Sequence, residues 1–395
     1  MGFNYTKIQS GDRIMKRKKL VIISHTEHFY SKGEIVGWGA TINEVNFIAD
    51  YWDEVVHVAC LHKKAAPKSS LPYSKKNIFF QSIPPYGGKR ILDKILILFK
   101  IPIIIITVLK SIKGASEVQL RLPTSMGLFL LPLFSFIIPR EFTFWVKYAG
   151  DWNQKKPPFS NRLQRYWLRK NWSNCNVTIN GFWHNQPSHC KSFENPCLTQ
   201  EDIINGGKIA KNKIFQKPFT FCFVGRMDEV KGIPKIIDSF RGVSSEDIKV
   251  IHMIGDGIDL QKYKDESKYL SDKIIFHGFQ DRNYVHKYLK EAHFFLLPSS
   301  AEGFPKVVAE AACYGVIPIV SNVGSIAHYI DETNGFVWNI KNQKITYESI
   351  LNKAIESNSN ELNFKSNEIL NLASLFTFDN YLQKLKRNIL QNGEF

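Results

Sequence analysis

Short apolar runs alternate with amphipathic stretches along this chain. Leu20–Ser24 is a brief branched run closed by a serine, as expected of a strand buried on both faces of a parallel sheet. The pattern then predicts a helix over Ala40–Tyr51 and strands at Val55–Ala59 and Ile78–Phe80. A helix at about Ile91–Ile112, a strand at Glu117–Leu120, a helix at Thr124–Phe136 and a strand at Phe142–Lys147 follow. Arg162–Asn171 reads as a helix and Val177–Asn180 as a strand. Gly181–Lys217 carries Pro187, Pro196, Gly206 and Gly207 with little periodicity, and reads as a linker. A second series opens at Phe219–Val224 and alternates helix and strand as far as Ile317–Val320; Val337–Trp338 is a short last strand, and Thr346–Leu390 is mostly helical. Strands and helices alternating at this spacing predict two α/β domains, each with a doubly wound parallel sheet. Two such domains in series leave a cleft, where ligands of these folds bind.

The 395 residues suit two cores, and 44% apolar against 22% charged residues marks a folded chain. The expected boundaries are a first domain over residues 1–200, a second over 201–375, and a terminal helix over 376–395 returning toward the first domain. Charge is unevenly divided. Residues 1–200 hold 28 basic and 12 acidic side chains and residues 201–395 hold 24 of each, so the whole net charge of +16 belongs to the first half. That points to an anionic partner such as a membrane surface, a phosphorylated substrate or nucleic acid, although a drift in composition toward lysine accounts for part of the same excess. The very apolar stretches Ile91–Leu109 and Met126–Pro139 are interrupted or too short for a span, which takes about 20 consecutive apolar residues. Both are expected as buried or partly interfacial helices. Six scattered cysteines without a C-x-x-C read as reduced thiols. The polar, basic stretch Met1–Lys19 is unlike a secretory leader, so the expected location is cytoplasmic, peripheral on the inner face of the cytoplasmic membrane.

Two stretches carry chemistry. In Phe221–Gly232 (FCFVGRMDEVKG) a strand ends at Gly225, a turn follows, and Lys231-Gly232 opens a helix. Arg226 and Lys231 would converge at the carboxyl edge of the sheet, where two fixed cations suit a diphosphate; two exposed basic residues in an ordinary loop is the competing reading. In Leu297–Glu310 (LPSSAEGFPKVVAE) a strand ends, Glu302-Gly303-Phe304 form a turn, and Pro305 starts a helix, where its missing N–H is of no consequence. Free amides of that turn can face a phosphate. A carboxylate such as Glu310 matches the two neighbouring hydroxyls of a ribose, whereas each glutamate taken singly also suits a solvated surface. The pair does not read as the opposed carboxylates of a glycosidase. Gly255-Asp-Gly257 lacks the third glycine of a dinucleotide fingerprint, and neither a Walker A run, an Asp-x-Asp nor a His/Cys set at ligand spacing occurs, so no metal and no cofactor is expected.

As a set, these stretches resemble the retaining GT-B-fold glycosyltransferases of glycosyltransferase family 4. The resemblance rests on G-R-x4-K-G (Gly225, Arg226, Lys231, Gly232), E-x7-E (Glu302, Glu310), MIGDG at Met253–Gly257, FHGF at Phe276–Phe279 and the GVIPIV strand from Gly315, and covers residues 219–325. It implies two Rossmann-like domains facing a cleft, with a UDP- or GDP-linked nucleotide-sugar bound to the second as substrate. Arg226 and Lys231 would hold the diphosphate and Glu310 the ribose. Glu302 with the Gly303–Lys306 amides would contact donor sugar and phosphate. Gly278 and Phe279 would lie near the base, and Gly225, Phe304, Pro305, Lys306 and Val307 would complete the donor site. Arg226, Lys231 and Glu302 are then the catalytic candidates.

The first domain matches less well. Gly37-Trp38-Gly39, preceded by His28 and Glu34, is the candidate for the family's glycine-rich loop, and capping the next helix is the other reading. Where many members carry a histidine, this chain has Arg121, suited to an anionic acceptor; Asp151 is a further candidate at the cleft edge. The function implied is transfer of a hexose-type sugar, with retention, to a saccharide or lipid-pyrophosphate-linked acceptor in bacterial surface polysaccharide or lipopolysaccharide assembly. An anionic membrane surface is an expected partner and nucleic acid is not. A nucleotide-sugar 2-epimerase of the same architecture and a module that binds without catalysis are the alternatives.

Overall fold

The computed structural model describes residues 17–86, 91–139 and 141–390. The reading of the N-terminus therefore lies, over residues 1–16, outside the described residues. In the first half the strands are β1 (Lys19–Ser31), β2 (Glu34–Trp38), β3 (Glu54–His62), β4 (Ser70–Pro72), β5 (Ile78–Ile83), β6 (Glu117–Leu122), β7 (Thr143–Tyr148), β8 (Asn176–Ile179) and β9 (Cys190–Ser192). The helices there are α1 (Gly39–Ile48), α2 (Ile91–Ile112), α3 (Gly127–Pro132) and α4 (Phe159–Arg169). The second half holds β10 (Phe219–Val224), β11 (Ile248–Ile254), β12 (Ile274–Gly278), β13 (Phe294–Leu297), β14 (Ile317–Ser321) and β15 (Phe336–Trp338). Its helices are α5 (Gln200–Lys211), α6 (Ile233–Ser239), α7 (Leu260–Glu266), α8 (Arg282–Glu291), α9 (Lys306–Ala312), α10 (Tyr347–Glu356), α11 (Ser359–Ala373) and α12 (Phe378–Asn388).

β1 shows why the apolar runs carry no alternation. Leu20 and Ile22 pack on one face of the sheet with α1, while Val21 and Ile23 pack on the other with α2 and α3. A strand covered on both sides must be apolar at every position. Pairing in this sheet runs β5-β3-β1-β6-β7-β8-β9, all parallel, and the order reverses between β1 and β6. The second sheet runs β12-β11-β10-β13-β14-β15, also parallel, and reverses between β10 and β13. Helix α12 leaves the second half and buries Tyr381 and Leu385, with Ile389 just after it, beside Leu20, Ile22 and Trp145 of the first.

Three expectations are corrected. The stretch read as a linker contains β9, which extends the first sheet, and α5. Helix α5 opens with a capping box between Thr199 and Asp202, and its Gly206 is there for contact: a Cβ would stand 2.2 Å from the Cys313 carbonyl. A glycine imposed by close packing looks, in a one-dimensional pattern, like a loop glycine. Second, β1 runs well past Ser24 and folds back on β2 through Lys32 (φ 51°) and Gly33 (φ 84°), the left-handed pair of a two-residue hairpin. Third, the helix expected over Thr124–Phe136 is regular only over α3; beyond Pro132 it widens into the turn Leu133–Ile137.

Candidate active site

The two points of strand reversal face each other across one cavity of about 720 Å³. On the second domain its wall comes from the loops after β10 and β13. Gly232, at φ +80°, passes so close to Pro298 that a Cβ would lie 2.4 Å from its carbonyl oxygen. This approach brings the Lys231 ammonium 2.5 Å from the Glu302 carboxylate, and both line the cavity. Backbone contacts hold each loop. Lys231 N–H donates to Asp228 at 2.9 Å, and both N–H and hydroxyl of Ser325 donate to the Gly303 carbonyl at 3.0 Å. Phe304 is buried against Phe376 and Tyr329, its ring stacked on Phe376 at 4.5 Å. Pro305 caps α9, and Lys306 lines the cavity and reaches across to the Ala40 carbonyl at 3.5 Å. Val307 is half-buried against the second core.

The other predicted donor residues are arranged around this centre rather than in it. Gly225, Gly255 and Gly278 abut at the carboxyl ends of β10, β11 and β12: Gly255 N–H donates to the Gly278 carbonyl at 2.8 Å, and a Cβ on Gly255 would strike the Gly225 carbonyl at 1.8 Å. Phe279 is partly exposed beside them. Arg226 does not line the cavity; its side chain is 72% exposed and pairs with Asp228 at 3.0 Å. Glu310 faces a second cavity of about 450 Å³, with Lys306 on the wall common to both. There it lies 3.8 Å from Arg282, which is itself bonded to Asp202 at 2.9 Å.

On the first domain, a register irregularity between Ile23 and Glu27 turns Ser24 and Thr26 into the cavity. Deeper in stand Glu44 of α1, Arg121 of β6 and Lys147 of β7. Glu44 accepts from Arg121 at 2.9 Å and from Lys147 at 2.6 Å on the same oxygen. Burial pushes the Glu44 carboxyl up, but Arg121 and Lys147 outweigh it and hold the group down at about 2. Burial pushes the Lys147 ammonium down to about 8, with Glu44 opposing only in part. Glu44 and Lys147 were not singled out in the sequence. Their signals were a charge inside the apolar strand TFWVKY and a glutamate between the buried Ile42 and Val45 of α1.

The remaining first-domain candidates do not line either cavity. His28 is buried, its ring held by the Thr26 carbonyl and the Tyr73 hydroxyl, and burial pushes it down to about 4. Gly37 belongs to β2, where a Cβ would meet the His28 ring at 2.6 Å, and Gly39 opens α1 with a Cβ 2.6 Å from the Ser69 carbonyl. Both are packing glycines, so the glycine-rich loop expected there is a hairpin strand and a helix start. Asp151 accepts from the Asn153 N–H at 2.9 Å, and burial pushes its carboxyl up. Among the described residues no group of three or more His, Cys, Asp or Glu side chains is placed to hold a metal.

Residues 207–369 match the family described as glycosyl transferases group 1. The lipopolysaccharide 1,6-galactosyltransferase of Salmonella typhimurium is 34% identical over 111 residues, 27% of this chain and 30% of that protein. The chain spans about a third of the length of the curated relatives it matches. Solved structures align over nearly everything. Sucrose-phosphate synthase from Thermosynechococcus elongatus superposes with a TM-score of 0.68 at 15% identity, covering 95% of this chain and 99% of that one. The Anabaena protein HepE, in complex with UDP and glucose, superposes with a TM-score of 0.63 at 14% identity, covering 94% and 99%. The alignments span both sheets, and the fold is the two-domain GT-B arrangement.

Proposed function

From the match of residues 207–369 to the glycosyl transferases group 1 family, we propose that the protein moves a sugar from a UDP- or GDP-linked donor to an acceptor hydroxyl, with retention of configuration. The observation that carries the reading is the Lys231–Glu302 pair at the second sheet's point of reversal, facing the first sheet's across one cavity. Departure of a nucleoside diphosphate leaves an oxocarbenium-like sugar and charge on the β-phosphate. Lys231 and Lys306, which line the cavity, would stabilise that charge, and Arg226 would have to leave Asp228 to join them. Glu302, released by Lys231 as the phosphate takes the ammonium, accepts from a donor-sugar hydroxyl. Glu310 accepts from the ribose in the adjoining cavity. The leaving phosphate takes the acceptor's proton on the face it departs from, so no protein nucleophile is assigned.

The acceptor is a saccharide or a lipid-pyrophosphate-linked saccharide of surface polysaccharide or lipopolysaccharide assembly, as supported by the likeness to a lipopolysaccharide galactosyltransferase. The protein works at an anionic membrane surface. Support comes from α2, which buries Ile104, Val108 and Ile112 but exposes Leu98, Phe99, Ile103 and Ile106 along its opposite side. Phe136 and Ile137 are exposed after α3, whose core residues pack in the same cluster as those of α2. An apolar face on the basic half suits an interfacial position. Among the described residues no helix is long and apolar enough to cross a membrane.

The test is a panel of UDP- and GDP-sugars in a thermal-shift assay, followed by nucleotide release with saccharide acceptors. A donor that stabilises the chain and is consumed only when acceptor is present is the expected result. Conversion of the donor to an epimer without acceptor would establish the isomerase instead, and no response to any nucleotide-sugar would end the reading.

A further inference from the structure

We infer that the acceptor carries an oxyanion, a phosphate or a carboxylate, and that Arg121 and Lys147 recognise it. This rests on the sugar-transfer reading and specifies the class of acceptor.

Arg121 and Lys147 are direct register partners on the parallel strands β6 and β7, so two cations stand side by side on one sheet face. Like charges in that position repel unless an anion lies between them. Glu44 supplies one, bonded to both through a single oxygen. Lys306 adds a third cation from the opposite domain, close enough to bond the Ala40 carbonyl one turn before Glu44 and to pull on the Glu44 carboxyl. All four side chains line the same cavity, whose wall as a whole sets Arg121, Lys147, Lys231 and Lys306 against Glu27, Glu44 and Glu302; Lys231 takes Glu302, and Glu44 is the one carboxylate bonded to Arg121 and Lys147. A cluster serving only to join helix to sheet would balance its charges, because unpaired charge in a low-dielectric wall is costly. Burial pushes the Lys147 ammonium down, and Arg121 and Lys306 push it the same way against Glu44.

The geometry leaves donors for a ligand. Arg121 gives Nε to Gln119 at 2.7 Å and Nη2 to Glu44, and among the described residues its Nη1 has no hydrogen-bond partner. A guanidinium with a free edge matches the oxygens of a phosphate or a carboxylate. Lys147 is backed by the Tyr381 ring at 4.8 Å, which fixes the ammonium without neutralising it. The opposite wall is the Lys231–Glu302 pair, so an acceptor held at Arg121 and Lys147 presents its hydroxyl toward the donor sugar.

The experiment uses the full chain. UDP and GDP are titrated first, and with the nucleotide that binds held at saturation, glucose 1-phosphate, glucuronate and glucose are titrated by calorimetry. At least one anionic sugar is expected to bind about tenfold or more tighter than glucose, the difference a charge-assisted bond makes. A response to glucose 1-phosphate alone identifies a phosphorylated acceptor, and to glucuronate alone an acidic sugar; either supports the inference. Arg121→Gln and Lys147→Met should each erase the preference while the nucleotide response stays. If Arg121→Gln does not fold, Arg121→Lys, which keeps charge but loses the planar fork, should weaken the preference. Equal binding of charged and neutral sugars, or none of any, with nucleotide binding intact, overturns the inference and leaves the transfer reading standing. Absence of nucleotide binding removes both.

Discussion

Lys231 and Glu302 lie 71 residues apart in sequence and 2.5 Å apart in the structure. They meet because β10 and β13 are neighbours at the point where strand order reverses, and the loops leaving them are drawn together where Gly232 passes close to Pro298. In the proposed reaction Lys231 exchanges Glu302 for the donor phosphate, and the pair is the part of the second domain most exposed to mutational test.

Replacing Lys231 by Ala should lower kcat by on the order of 10²-fold, as loss of one donor to a developing oxyanion does. Arg226→Ala should cost less, because that side chain is mostly in solvent, pairs with Asp228 and does not line the cavity. Steady-state rates of the two variants with one donor give the ranking; a Lys231→Ala enzyme of unchanged kcat would remove the phosphate role.

Gly232→Ala should lower both stability and transfer. The φ of +80° disfavours any side chain by about 1–2 kcal/mol, and the added methyl would press on the Pro298 carbonyl at 2.4 Å. Displacement of the loop would then part Lys231 from Glu302. Urea unfolding and donor KM, measured together, should both shift.

Glu44→Ala should destabilise the first domain by about 3–5 kcal/mol, since it leaves Arg121 and Lys147 buried without their shared carboxylate. The pH dependence has a definite sign. Glu44 is held at about 2 in the fold against an ordinary 4.5, so between those values the unfolded chain binds more protons and stability rises with pH. The contribution is complete above pH 4.5 and is lost as pH falls toward 2. Glu44→Gln should flatten that acid limb in thermal unfolding, and an unchanged limb would show the cluster is not its source.

Leu98→Ser, Phe99→Ser and Ile106→Ser combined should weaken sedimentation with vesicles of anionic lipid, because all three side chains are exposed on α2. The nucleotide response should not change. Equal sedimentation of variant and parent would mean that the apolar face meets something other than a bilayer.

The second domain was the more legible half, and the reason is local. Gly225, Arg226, Lys231 and Gly232 occupy one loop, and Glu302 and Glu310 lie eight positions apart in one turn and helix, so their spacing is visible without any knowledge of packing. The doubly wound architecture was equally legible, since strands buried on both faces write continuous apolar runs. What the chain pattern misassigned were features created by contact. Gly206 resembled a loop residue because nothing in its neighbourhood reveals the Cys313 carbonyl against it, and Gly37 resembled a ligand-loop glycine because the His28 ring that excludes a side chain there is brought in by a hairpin.

The amino-acid order thus determined the two domains, the cores and the loop that carries Lys231. Only tertiary structure decided that Glu44, Arg121 and Lys147, from a helix and two strands, share one oxygen, and that Lys306 of the other domain joins them. Strand register and domain approach set those distances, and both depend on packing between segments far apart in the chain, where neither periodicity nor motif spacing carries information.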